Sequence, residues 1–206
     1  MIELTEQRGH YTWPKTDTRC YNYMMTHYDL PKQICEYVDN KDVCVQAGGN
    51  MGVYTKMYAQ QFNHVYTFEP EPLNFFCLNQ NVTESNVYKY QSCIGKDRNL
   101  VNLKIKEANR GKNHVSKTGN IPTLQIDDLG LTTCNLIHLD VEGFELFALL
   151  GAIHTIRKCK PVVAVEYFEK NAARYNWNLQ QLESFLQQHG YKLAHTIEEE
   201  RIYIAQ

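Results

Sequence analysis

From residue 43 onward, short apolar runs alternate with amphipathic stretches. Val43-Cys44-Val45 and Val65-Tyr66-Thr67-Phe68 are apolar and rich in β-branched or aromatic residues, and Val87–Gln91, Asn99–Lys106, Ile121–Ile126, Asn135–Leu139 and Pro161–Glu166 continue the series. Short runs of this kind bounded by polar turns read as strands. Between them lie stretches of helical period. Tyr54–Gln61 is the first, and Leu73–Asn81 follows with Leu73, Phe76, Cys77 and Gln80 on one stripe. Phe144–Lys158 is helical with a break near Gly151, and Asn178–Gln188 sets Leu179, Leu182, Phe185 and Leu186 on one face before Gly190 stops it. Tyr191–His195 and Arg201–Ala205 close the chain as two strands joined by an acidic turn, Glu198-Glu199-Glu200. Strand and helix in alternation predict a largely parallel sheet covered by helices on both faces, here with a terminal antiparallel hairpin.

The N-terminal part is patterned differently. Residues 1–17 read as irregular and polar, anchored by Trp13-Pro14. A helix over Thr18–His27, a break at Asp29-Leu30-Pro31 and a second helix over Lys32–Val38 follow, with the proline near the first helical position. We take 1–40 as a helical cap of the same domain that occupies 41–206. Residues 108–120 are polar and rich in Gly, Asn and Lys, which predicts a mobile loop.

Composition narrows the function classes. The 206 residues suit one domain, and 43% hydrophobic residues supply a core. The formal net charge of −2 offers no general electrostatic case for nucleic acid. No apolar run is long enough to span a bilayer, and Met1–Lys15 lacks a basic segment followed by an apolar one, so a cytoplasmic protein without membrane partners is expected. The seven cysteines are irregularly spaced with no C-x-x-C, which predicts reduced, structural thiols. Asn81-Val82-Thr83 matches the glycosylation acceptor pattern, a coincidence in such a chain.

Two constellations carry candidate chemistry. In the first, a buried strand meets Gly48-Gly49-Asn50-Met51-Gly52, and Glu69 ends the next strand. Glycines allow a tight turn and close backbone approach to a ligand. An acid after the second strand can accept hydrogen bonds from both ribose hydroxyls. The spacing is neither G-x-G-x-x-G nor a P-loop, so the turn suits an adenosine without a pyrophosphate, with S-adenosylmethionine as the candidate. In the second, Asn135–Gly143 (NLIHLDVEG) delivers Asp140 and Glu142 to a strand end. Two carboxylates there face a cleft, a cation or hydrogen-bond donors, because burial without partners is costly. They read equally as substrate or donor contacts, one of them a general base, and as helix caps. His138 shares a strand face with Asp140; a lone strand histidine is more often a satisfied core residue, but near this rim it is also a candidate proton carrier. Asp127 and Asp128 read mainly as caps, and Glu166 ends its strand on the same rim.

Taken together, VCVQAGGNMGVYT at 43–55, FEPEPLNFFCLNQNV at 68–82, IDDLGLTTCNLIHLDVEGFELFALLGA at 126–152 and PVVAVEY at 161–167 resemble the FkbM family of S-adenosylmethionine-dependent methyltransferases. The resemblance implies the class I methyltransferase (Rossmann-like) α/β fold with a mostly parallel seven-stranded sheet, and methyl transfer, typically to a hydroxyl oxygen. It implies donor contacts at Gly48, Gly49, Asn50, Gly52 and Glu69, and places Asp140, Glu142 and Gly143 near the donor methionine and the acceptor. Gln46, Thr55, Pro70 and Asp140 are further candidate donor contacts. For catalysis, Asp140 or His138 is expected as the general base, with Glu142 positioning donor or substrate, and no metal site is expected because no spacing here matches a dedicated set of oxygen ligands. Two positions depart from the family pattern. Gln46 stands where an acid is usual, and His138 stands where a lysine is usual.

The acceptor is expected to be a small molecule or a glycan. The cations of 108–120 border the predicted rim and can hold an anionic or sugar-like substrate, although such loops are more often simply solvated. Tyr11, Trp13, Tyr21, Tyr23 and Tyr28 are expected in the core, with a cover over the cleft or a homodimer contact as the other roles open to them. Three rival readings are a donor-binding scaffold with little or no catalysis, an NAD-binding oxidoreductase, and a cation-assisted methyltransferase using Asp127, Asp140 and Glu166.

Overall fold

The computed structural model describes all 206 residues. A 3-10 turn leads into a hairpin of β1 (Thr5–Arg8) and β2 (Tyr11–Pro14), followed by α1 (Cys20–Thr26) and α2 (Leu30–Cys35). Next come β3 (Val43–Ala47), α3 (Val53–Ala59), β4 (His64–Phe68), α4 (Pro72–Asn81) and β5 (Val87–Tyr90). The middle of the chain holds β6 (Cys93–Ile94), β7 (Leu100–Lys104), β8 (His114–Thr118) and β9 (Ile121–Leu124). Then follow β10 (Leu136–Leu139), α5 (Glu145–Leu150), α6 (Ile153–Cys159), β11 (Val162–Glu166), α7 (Glu169–Ala173) and α8 (Leu179–Gln188), and β12 (Tyr191–Ile197) and β13 (Glu200–Ala205) end the fold.

The main sheet has seven strands in the order β12-β13-β11-β10-β3-β4-β5, and a smaller sheet runs β6-β9-β7-β8. Within the main sheet β11, β10, β3, β4 and β5 are mutually parallel, while β13 pairs antiparallel with β11 and with β12. Neighbouring residues on each central strand feed opposite layers of core. Cys44, Leu136 and Ala164 join one apolar cluster with Trp13, Ile34 and Tyr58; Val45, Ile137 and Val163 join another with Leu149, Leu182 and Tyr203. Burial on both faces explains why these strands read as continuous apolar runs rather than alternating ones. Chain order reverses between β3 and β10, and ligands of such sheets bind beyond the strands' carboxyl ends at that point.

Local chemistry accounts for the helix limits. Glu71 caps α4 by accepting from Asn74 N at 2.7 Å, with Pro72 in the first turn. Asn178 and Gln181 form a reciprocal capping box on α8. The expected break near Gly151 separates α5 from α6, where a Cβ on residue 151 would lie 2.1 Å from the Gly95 carbonyl oxygen.

Several expectations are corrected. Residues 1–17 are not irregular: β1 and β2 pair from Thr5↔Pro14 to Arg8↔Tyr11, so the first 40 residues are a hairpin followed by two short helices. Residues 108–120 are likewise structured, as a 3-10 turn at Arg110–Lys112 and then β8 against β7. That segment is tied to the N-terminal part by Thr18 N donating to Ala108 O at 3.0 Å and Arg110 N donating to Asp17 Oδ2 at 2.7 Å. Glu200 belongs to β13 and is buried; only Glu198 and Glu199 form the turn. The short helix α7 was not foreseen. All seven cysteines are free thiols and six are buried.

Asn81 is also buried, and its side chain pins the N-terminal hairpin. Its Oδ1 accepts from Thr12 N at 2.6 Å, and its Nδ2 donates to Thr12 O at 2.9 Å and Met51 O at 2.7 Å. Removing one partner strands buried donors and acceptors at about 1–3 kcal/mol each. Asn81→Ala is therefore expected to cost about 2–4 kcal/mol in urea unfolding; a loss below about 0.5 kcal/mol would contradict this anchoring.

Candidate active site

The turn after β3 is set by close backbone approach. Gly48 has φ +89°, and a Cβ there would fall 1.9 Å from the carbonyl oxygen of Asp140. The N–H groups of Gly48 and Gly49 both donate to Phe68 O, at 3.0 and 2.9 Å, so the turn is fastened to the end of β4. Asn50 (φ +50°) donates its N–H to Glu69 Oε2 at 2.8 Å, and Glu71 N donates to Glu69 Oε1 at 2.9 Å. Two amides thus orient the Glu69 carboxylate, and each oxygen retains a further lone pair. Burial pushes this carboxyl up to about 8, against the pull of the two N–H bonds.

Gly48, Asn50, Glu69 and Pro70 line one end of a cleft of about 590 Å³, its open mouth included. Ile94, Leu103, Val115 and Phe144 give it an apolar wall, with Ser92 beside them. Asn50 Oδ1 and Ser92 Oγ are buried with no protein partner. A paired acid for a ribose, an apolar wall for an adenine and unpaired polar atoms for its edges fit an adenosyl group. Ser92 and the apolar wall were not singled out from sequence, whereas Arg110 is one of the loop cations expected at the rim. Leu103 and Val115 lie in segments without a motif, and only the folding of β7 and β8 over the cleft brings them there.

The other predicted donor contacts support the turn from below. Gln46 is buried, accepting from Thr55 Oγ1 at 2.7 Å and Thr67 Oγ1 at 2.9 Å and donating Nε2 to Gly48 O at 3.1 Å. An ionised acid only accepts, so the amide makes a bond to Gly48 that a carboxylate would forgo. Neither Gln46 nor Thr55 lines the cleft; nor does Gly49 or Gly52, which shape the turn and the start of α3.

Asp140 follows β10, its N–H donating to Ala47 O at 3.1 Å. It lines this cleft and also a second cavity of about 550 Å³ bordered by Tyr23, Asn109, Lys112, Glu142 and Phe168. Carboxylate oxygens of Asp140, Glu142 and Glu166 lie within 4.8 Å of one another. Burial and the nearby Glu200 charge push Asp140 up to about 6, while His138 and a hydrogen bond from Glu166 pull it down. Glu166 is held well above the usual carboxylate range by burial and by Asp140, so it keeps its proton and donates it to Asp140. Burial and Asp140 raise Glu142 to about 7, opposed by Lys112, Arg174 and the 2.8 Å bond from Asn171 Nδ2.

Neither Asp140 nor Glu142 caps α5. The turn is held by Glu145, whose Oε1 accepts from Val141 N at 3.1 Å and Gly143 N at 2.9 Å. Asp127 does cap a helix, accepting from His154 N and Thr155 N at 2.9 and 2.8 Å at the start of α6. It is therefore not in the acidic cluster, where Glu142 takes the place assigned to it. Asp128 completes a capping box with Gln125.

His138 lies beneath the rim rather than in either cavity. It is fully buried, with Nδ1 2.9 Å from Tyr58 Oη and Nε2 3.2 Å from Glu200 Oε1. Burial alone would lower its pKa, but the charges of Glu200 and Asp140 outweigh that and raise it. With both ring nitrogens committed, His138 sits under Asp140 rather than where it could touch an acceptor.

The sheet order, the glycine turn and the acidic rim define a class I methyltransferase fold, whose members use S-adenosylmethionine. The family model for the methyltransferase FkbM domain matches residues 46–193, and the chain belongs to that family. The structure is similar to a methyltransferase FkbM from Methylobacillus flagellatus KT, with TM-score 0.55 and 19% identity over 80% of this chain. This chain spans 43% of that one. It is also similar to magnesium protoporphyrin IX methyltransferase from Synechocystis PCC 6803 with bound SAM, with TM-score 0.51 and 12% identity over 90% of this chain and 81% of that one. No curated protein matches the chain.

Removing one member of a buried ion pair typically costs about 3–5 kcal/mol because the other charge is left uncompensated. His138→Leu is expected to lose stability on that scale in chemical unfolding, and the double variant with Glu200→Leu to recover most of it. Equal instability of the single and double variants would contradict the pairing.

Proposed function

We propose that the protein transfers a methyl group from S-adenosylmethionine to a hydroxyl oxygen of a small molecule or glycan. The observation that carries this reading is the position of Asp140. It lines both the donor cleft and the adjoining cavity, with its carboxyl poised at about 6. A base within reach of both sites, and largely ionised at neutral pH, suits removal of an acceptor proton.

When bound, S-adenosylmethionine supplies an electrophilic methyl group on a sulfonium. Glu69 accepts from the ribose hydroxyls, Ser92 and the apolar wall hold the adenine, and the Gly48–Asn50 turn holds the amino-acid end. Asp140 takes the acceptor's hydroxyl proton. Glu166 keeps its own proton on the Asp140 side, which fixes the orientation of the base. His138 below, when protonated, favours the ionised form of Asp140. Arg110 and its neighbours, tied to Asp17, cover the cleft and limit water. Pre-positioning of this kind and a general base together supply much of a methyl-transfer rate.

Asp140→Asn is expected to keep S-adenosylhomocysteine affinity within about threefold and to lower kcat by about 10²–10⁴-fold. For the wild type, the base must be deprotonated, so kcat is expected to rise with pH through about 6 and level off above it. A pH-independent rate, or full turnover by Asp140→Asn, would remove Asp140 from this role.

A further inference from the structure

The cavity at Asp140 opens into a charged groove. Lys112, Asn109, Glu142 and Phe168 border both spaces, so they are continuous. The groove encloses about 1530 Å³, its mouth included, between the 105–112 segment on one side and α7 with Arg174 on the other. Five Lys or Arg side chains line it, Arg19, Lys106, Lys112, Lys170 and Arg174, against two glutamates, Glu107 and Glu142. His114 lies among them and is held below its ordinary value by burial and by the charges of Arg174, Lys106 and Lys104.

This concentration runs against the rest of the molecule, which has 21 Lys and Arg and 23 Asp and Glu, for a net charge of −2. The chain's ion pairs all lie elsewhere, and none engages a groove cation. Arg174 is the exception in being fixed: its Nη1 donates to Glu142 O at 2.7 Å and its Nη2 to Asn171 Oδ1 at 3.2 Å. Two further lysines, Lys104 and Lys117, extend the patch past His114. Clefts lined by charge of one sign raise the local concentration of oppositely charged ligands. A neutral polyol gains nothing from such a surplus, and a single carboxylate leaves most of it unmet. A phosphate monoester or diphosphate, with two or three negative charges and several acceptor oxygens, matches it.

We propose that the methyl acceptor is a phosphorylated hydroxyl compound of small-molecule size, its phosphate held in this groove while its hydroxyl reaches Asp140. The inference rests on the methyl-transfer reading of the Asp140 cavity and narrows its substrate class. Lys106 and Lys170, on opposite walls, supply the electrostatic attraction, and Arg174 is the preorganised contact.

Inorganic pyrophosphate titrated by calorimetry into the full-length protein saturated with S-adenosylhomocysteine, at low salt, tests this. We expect one pyrophosphate per chain, at least tenfold weaker binding in Lys106→Glu/Lys170→Glu, and S-adenosylhomocysteine affinity unchanged within twofold in that variant. Citrate, a polycarboxylate, should bind at least tenfold more weakly than pyrophosphate. Equal binding of citrate would overturn the assignment to phosphate, and unchanged pyrophosphate binding by the double variant would overturn the groove. Polyuridylate binding more than tenfold tighter than pyrophosphate would overturn the small-molecule acceptor in favour of RNA. Loss of S-adenosylhomocysteine binding by the wild type would instead count against the methyl-transfer reading, while the pyrophosphate result would still decide the groove.

Discussion

The site depends on how closely the ends of β3 and β10 approach. A side chain at residue 48 would have to pass within 1.9 Å of the Asp140 carbonyl oxygen, and Asp140 N in turn donates to Ala47 O. With no Cβ at that position, the glycine turn and the acidic rim share one wall. The same turn is bonded to Phe68 O and, through Asn50 N, to Glu69. Three strand ends are therefore locked together, and the two cavities open on either side of Asp140. A parallel sheet supplies this convergence only where strand order reverses, which is where β3 and β10 adjoin.

Much of this was legible because strongly periodic segments declare themselves. The apolar runs at 43, 65, 136 and 162 became central strands, and Gly190 and Gly151 marked the end of α8 and the α5–α6 break. The acid at the end of β4 and the acids beyond β10 were visible as a pattern. Their division of labour was not, since it depends on contacts across the fold: Glu145 rather than Asp140 or Glu142 holds the turn, and Asp127 caps α6 from 26 residues before the helix starts. The segments read as irregular, 1–17, and as a mobile loop, 108–120, are polar in composition yet ordered by partners distant in sequence. Asn81 fixes the first and Asp17 the second. Glu200 looked like a turn residue because three glutamates stand together; only the register of β13 against β11 shows that the third points into the protein.

The two departures from the family pattern turn out to be buried polar nodes, each satisfied in its own way. Gln46 gathers two threonine hydroxyls and the Gly48 carbonyl, so the turn is braced without a charge. His138 pairs with Glu200 and Tyr58, placing a titratable imidazole under the rim where the family has a fixed cation. Neither residue lines either cavity. The cations that line the groove continuous with the Asp140 cavity come instead from 105–112, α7 and Arg174 beyond it, segments whose sequence carries no motif. No helix is long and apolar enough to cross a membrane.

The central claim is that the cleft bounded by the Gly48–Asn50 turn, Glu69 and Ser92 holds an adenosyl methyl donor. Calorimetric titration of S-adenosylhomocysteine into the wild type and Glu69→Ala tests it directly, with NAD as the comparison ligand. The account predicts one saturable site in the wild type, a loss of affinity of at least tenfold in Glu69→Ala, and no heat with NAD. Binding of NAD in place of S-adenosylhomocysteine, or equal affinity in Glu69→Ala, would contradict it.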